Sequence, residues 1–235
     1  MSNITSKHVE IKVDDGTTML AWLASPAGET PKRGIMVFPE IFGVNTHIRD
    51  VTNRFAGLGF HAISPELFHR TAPPKWECAY TDFPTAMQHL QAVKDTNVES
   101  DVKATYNWLK SNAPVGDKIA CTGYCMGGRT SFLANSAVPL KAAISYYGGN
   151  IPPLLPRTKS LSAPMVLFWG ELDSHIPAEH RNQVTAAMRE AKKEYVDVVF
   201  SNSDHGFFCD ARQSFDPSAA RLSWDIVQSF LNARV

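Results

Sequence analysis

From residue 34 onward the sequence repeats one pattern: a short apolar run, a turn, a stretch with helical spacing, and another turn. The runs Gly34–Phe38, Phe60–Ile63, Lys118–Thr122, Ala142–Tyr146, Met165–Trp169 and Tyr195–Phe200 are short, β-branched or aromatic, and bounded by turn residues. They read as strands buried on both faces. Helical spacing fills the intervals at about 45–58, 85–91, 99–111, 127–136, 178–191 and 217–232; Val102, Tyr106 and Leu109, for example, fall on one helical face. Strand and helix alternating in this way predict an α/β fold with a mostly parallel sheet and helices on both of its faces. Upstream, residues 8–13 and 18–24 flank an Asp14-Asp15-Gly16 turn, which adds an N-terminal antiparallel hairpin. Ligands in such sheets sit beyond the carboxyl ends of the strands, so chemistry is expected in the residues that follow each apolar run.

No repeat, low-complexity tract or long linker divides the 235 residues, and the Pro-rich stretches at 71–74 and 151–156 read as loops, so residues 1–235 are expected to form a single domain. Twenty-three basic and 23 acidic side chains cancel, with no run of five basic residues. That balance argues against nucleic acid or an anionic membrane as partner. The N-terminus has no apolar signal core and no stretch reaches the length of a membrane span, so a cytoplasmic location is expected. Four cysteines without a CxxC pair make no disulfide framework, and reduced thiols fit that compartment. Neither HExxH nor a Cys/His ligand cluster is present, so no metal and no cofactor are expected.

The run ending at Thr122 continues as Gly123-Tyr124-Cys125-Met126-Gly127-Gly128 and enters a helix. This is the G-x-nucleophile-x-G elbow with Cys in place of the commoner Ser, a pattern expected by chance about 0.08 times in a chain of this composition. Small residues on either side permit a sharp strand-to-helix turn that projects the central side chain. A sulfur at a helix N-terminus also feels the positive end of the dipole. The competing reading is a buried structural Cys at a tight turn. A thiol nucleophile requires a base, and the base an orienting group, in the chain order nucleophile, acid, histidine. Asp173 follows the run 165–169 and His205 follows 195–200, so order and topology select Cys125, Asp173 and His205. His175 competes for the base, and Glu171 and Asp204 for the orienting carboxylate.

The run 34–38 leads straight into Pro39-Glu40, which sets Glu40 at the carboxyl edge in an apolar setting, where a carboxylate is costly unless paired or protonated. Glu40 is placed to accept a hydrogen bond from the Cys125 thiol; the alternative is a structural pair with a basic side chain such as Arg129. Main-chain N–H groups of Met126 and Ile41 are the expected oxyanion donors.

Pro-Glu-Ile-Phe-Gly-Val-Asn at 39–45, the elbow at 123–128, the Gly-x-x-Asp turn at 170–173 and His-Gly-Phe at 205–207 together resemble the dienelactone hydrolase (carboxymethylenebutenolidase) family over nearly the whole chain. The resemblance implies an α/β-hydrolase fold and a Cys125–His205–Asp173 triad that opens small lactones or activated esters through a thioester. It also implies that Glu40 contacts the resting thiol and moves away when substrate binds. Family members that act on dienelactone hold its carboxylate with arginines, one of them four residues after the catalytic His. Here that place is Cys209, and residues 81–85, where the other falls, hold no arginine. Arg70 and Arg212 are the candidate substitutes, and Tyr80, Tyr147 and Phe207 candidate lining residues. A non-catalytic small-molecule binding or sensing protein on the same fold is the competing function, and a redox role for Cys121 with Cys125 a further one. The sequence assigns no oligomeric state.

Overall fold

The computed structural model describes residues 3–28 and 30–235. Two compact units emerge along the chain, one running to Ile119 and the other Ala120–Val235.

The first unit begins with the expected hairpin. Strands β1 (Ile4–Lys12) and β2 (Thr18–Pro26) pair antiparallel from Ile4 opposite Pro26 to Lys12 opposite Thr18. Gly16 takes φ +85° at the turn, and Asp15 Oδ1 accepts from both the amide and the hydroxyl of Thr17. β2 pairs antiparallel with β4 (Phe60–Pro65), and β4 parallel with β3 (Arg33–Phe38), giving the order β1-β2-β4-β3. The parallel pair requires a crossover, which is α1 (Thr46–Gly57). Asn45 starts α1 by accepting from Ile48 N–H at 3.1 Å, and Ile48, Val51, Thr52, Phe55 and Ala56 form its buried face. Two further helices follow, α2 (Phe83–Ala92), capped by Asp82, and α3 (Asp95–Asn112), on which Val102, Tyr106 and Leu109 are buried as their spacing predicted.

In the second unit β5 (Ile119–Tyr124), which begins at the last residue of the first, β6 (Ala142–Tyr146), β7 (Met165–Gly170) and β8 (Tyr195–Phe200) are parallel neighbours in that order. Helices α4 (Met126–Ala137) and α5 (Ala178–Glu190) link β5 to β6 and β7 to β8, and α6 (Pro217–Arg234) follows. β5, β6 and β7 are buried along their whole length; each large apolar side chain so buried contributes roughly 1.5–3 kcal/mol.

Two expectations need correction. Tyr195–Phe200 is not buried on both faces: β8 ends the β5-β6-β7-β8 order, and Val196 and Val199 are each 44% exposed. An edge position is a property of topology, which the composition of a strand does not encode. The Pro-rich stretch at 151–156 is not simply loop, because a 3-10 helix occupies Pro152–Ser160. Proline at the start of a helix lacks only an N–H that would have had no partner there, so it can begin one. Among the described residues no helix is long and apolar enough to cross a membrane.

Candidate active site

All the second unit's candidate residues follow the carboxyl ends of its parallel strands: Cys125 after β5, Tyr147 after β6, Asp173 after β7 and His205 after β8. Cys125 sits between β5 and α4 with φ 55° and ψ −115°. That backbone is unfavourable for any side chain with a Cβ, at a cost on the order of 1–3 kcal/mol. The surroundings hold it there. Its N–H donates to Tyr146 O at 3.0 Å, and its carbonyl accepts from Arg129 N–H at 3.2 Å. The flanking glycines are required by contact: a Cβ on Gly123 would stand 2.0 Å from Gly127 O, and one on Gly128 2.5 Å from Tyr146 O and 2.8 Å from Gly148 Cα. The thiol, half-buried, is thereby lifted to the start of α4.

The loops after β7 and β8 are joined by main-chain bonds. Glu171 N–H donates to Phe200 O and Leu172 N–H to Ser203 O. Gly170 permits this approach, since a Cβ there would lie 2.4 Å from Ser203 O. Asp173 is buried and accepts twice: Oδ1 from the His175 N–H at 2.8 Å and Oδ2 from His205 Nδ1 at 2.7 Å. With Nδ1 so engaged, Nε2 is the nitrogen left for the hydrogen bond between His205 and the Cys125 thiol. Burial pushes the His205 imidazole towards neutrality. The charge of Cys125, the hydrogen bonds His205 makes with Asp173 and Cys125, and the Asp173 charge more than offset it, raising the imidazole to about 10. The ring is further bounded by Tyr147 at 5.1 Å and by the edge of His175 at 5.2 Å.

The competing assignments have other partners. Glu171 is bonded to Arg181 at 2.7 Å, and Asp204 Oδ1 accepts the main-chain N–H of His205. His175 is exposed and meets Asp173 through its main-chain N–H. Cys121 is fully buried, its Sγ donating to Ser131 O, and burial pushes the thiol up to about 12, as befits a packing residue.

Among the other expected residues, Glu40 and Ile41 follow β3 after Pro39 and are both buried. Met126 opens α4 and is buried. Tyr80 accepts from Asn45 Nδ2 at 3.0 Å and packs against Phe42. Phe207 is fully buried among Tyr146, Tyr147 and Phe200. Arg70 forms a bidentate pair with the fully buried Asp101, at 2.9 and 2.8 Å, and a second bond to Asp15. Arg212 lays its guanidinium over Gly206, next to His205. Sequence reasoning missed the supports of the His205 loop: Ser203 Oγ donates to Asp216 Oδ2 at 2.7 Å while Asp216 caps α6. The Asp216-Pro217-Ser218 helix start was the signal available for it.

Taken together, this unit holds a thiol beside an imidazole that a buried carboxylate orients, an arrangement able to attack a carbonyl carbon and to move a proton to the departing group. Residues 19–235 match the model of the Dienelactone hydrolase family. A Synechocystis sp. protein assigned as a carboxymethylenebutenolidase is 31% identical over 227 residues, covering 91% of each chain. An Escherichia coli protein assigned likewise is 33% identical over 220 residues, covering 89% of this chain and 80% of that one. The crystal structure of a Klebsiella pneumoniae protein assigned as a dienelactone hydrolase superposes with a TM-score of 0.89 at 30% identity, covering 98% of this chain and 99% of the other.

Proposed function

We propose a reaction for this chain on the premise that it belongs to the dienelactone hydrolase family: hydrolysis of small lactones or activated esters through a Cys125 thioester. The observation that carries the reading is the 2.7 Å bond from His205 Nδ1 to Asp173 Oδ2, with Cys125 hydrogen-bonded to the same imidazole. When substrate binds, the proton of the resting Cys125 thiol passes to His205, and the resulting thiolate attacks the acyl carbon. The ester C–O bond then breaks, and the departing alkoxide takes the proton of the His205 imidazolium. In a lactone that alcohol stays tethered to the acyl group. Neutral His205 next removes a proton from water, whose oxygen attacks the thioester. The C–S bond breaks, releasing the acid and restoring the thiolate beside the imidazolium.

Developing negative charge on the carbonyl oxygen falls to main-chain N–H groups, those of Met126 and Ile41 in this proposal. Glu40 is the carboxylate assigned to accept from the resting thiol; its place just beyond the carboxyl end of β3 and its burial support that role. The family match over residues 19–235 supports reading the chain as one domain.

The deciding experiment compares hydrolysis of p-nitrophenyl acetate and simple enol-lactones by wild type and Cys125→Ala, with intact-mass detection of the acyl-enzyme. Loss of turnover in the variant, together with a mass increase by one acyl group in wild type alone, is expected. Undiminished turnover in the variant refutes the reading.

A further inference from the structure

A cleft of about 430 Å³ opens in the first unit between the hairpin and the C-terminal half of α3. Its size is within the range of small-molecule sites. One face of the hairpin builds the floor: the register sets Thr5 opposite Ser25 and Lys7 opposite Leu23, and the Leu23–Ile63 and Ala24–Ala62 pairs bring His61 of β4 alongside Ser25. Ser25 Oγ lies 2.5 Å from His61 Nδ1. The far wall is Trp108, one helical turn from Asn112, with its ring plane within 7° of parallel to that of His61.

Three features of this lining have no role in the reaction above. Among the described residues no Asp or Glu lines the cleft. Lys7 makes no ion pair among the described residues, and Trp108 Nε1 likewise donates to none of them. Among the described lining residues Lys7 is the one cation, beside hydroxyl and amide groups that can both donate and accept, and Trp108 supplies a flat indole wall. We propose that this cleft is a binding site for a small carboxylate carried on an aromatic ring, the carboxylate meeting Lys7 and the ring lying against Trp108. The neighbouring imidazole is compatible with that role, since burial and then the Lys7 charge hold His61 below its ordinary range and leave it neutral at pH 7. The proposal is independent of the thioester reading, because none of these lining residues is assigned a part in that reaction.

Benzoate is the probe. The full chain, labelled with ¹⁵N, is titrated with sodium benzoate at constant ionic strength while the Trp108 indole N–H signal is followed. A saturating shift with a Kd on the order of 1 mM is expected. Lys7→Gln weakens it about threefold, and neutral benzamide and non-planar cyclohexanecarboxylate bind more weakly than benzoate. The His61 titration moves to higher pH when benzoate is bound, while p-nitrophenyl acetate hydrolysis by Lys7→Gln matches wild type. A shift that grows linearly without saturating overturns the site, as does equal binding by Lys7→Gln or by benzamide. Equal binding of cyclohexanecarboxylate overturns the aromatic part of the assignment.

Discussion

Arg212 lies over Gly206 so closely that a Cβ at 206 would stand 2.5 Å from its Nη1, and Gly206 itself has φ +82° next to His205. The clash involves the far end of a flexible side chain, which can move. The left-handed backbone cannot be relieved in the same way. Gly206→Ala is therefore expected to fold with a loss of about 1 kcal/mol and to lower kcat/KM at least about tenfold by shifting the His205 loop. Gly128→Ala meets main chain instead, at Tyr146 O and Gly148 Cα. It should lose about 3 kcal/mol or more, or fail to fold. Urea unfolding of both variants checks the contrast, and equal costs would contradict it.

Asp173→Asn keeps the shape of the side chain and removes the charge that orients His205. Turnover should fall about a thousandfold, and the His205 titration, followed by NMR, should move down from its position in wild type. An unchanged titration would mean that Asp173 does not stabilise the imidazolium.

The raised His205 also makes a statement about stability. In the unfolded chain an imidazole releases its proton near 6.5, whereas in the folded protein His205 holds it to about 10. Between those values the folded state binds more protons than the unfolded one, so stability falls with rising pH. The contribution is complete below about 6.5 and gone above about 10. Urea unfolding at pH 6, 8 and 10 should show wild type losing more stability than His205→Gln over that interval; parallel profiles would refute it.

Asp101 is fully buried and accepts from both terminal nitrogens of Arg70 and, at 3.2 Å, from His69. Asp101→Ala strands that partly buried guanidinium and should cost about 3 kcal/mol. Asp15→Ala removes an exposed partner of the same Arg70 and should leave the melting temperature close to wild type. A calorimetric scan of the two variants tests the ranking.

Local pattern made much of this legible. Short β-branched runs and 3.6-residue spacing marked every strand and α-helix to within a few residues, because burial imposes those periods directly. The order Cys125, Asp173, His205 was legible because a parallel sheet delivers successive strand ends to one edge. What escaped the sequence depends on partners distant along the chain. The engagement of Arg70 is set by Asp15 and Asp101, 55 and 31 residues away, and no local signal distinguishes it from an arginine free to meet substrate. The exposure of Val196 and Val199 follows from β8 having β7 as its neighbour and ending the order, while its residues read like those of an interior strand. The tie from Ser203 to Asp216 needed the turn between them to be known.

The bonds from Glu171 to Phe200 and from Leu172 to Ser203, across the space that Gly170 leaves open, make the segments carrying Asp173 and His205 one mechanical part. An insertion in either segment would have to be matched in the other to keep the 2.7 Å contact. Laboratory evolution towards larger acyl groups should therefore accumulate changes outside 170–176 and 200–206, where loop length can vary without dislocating His205 from Asp173.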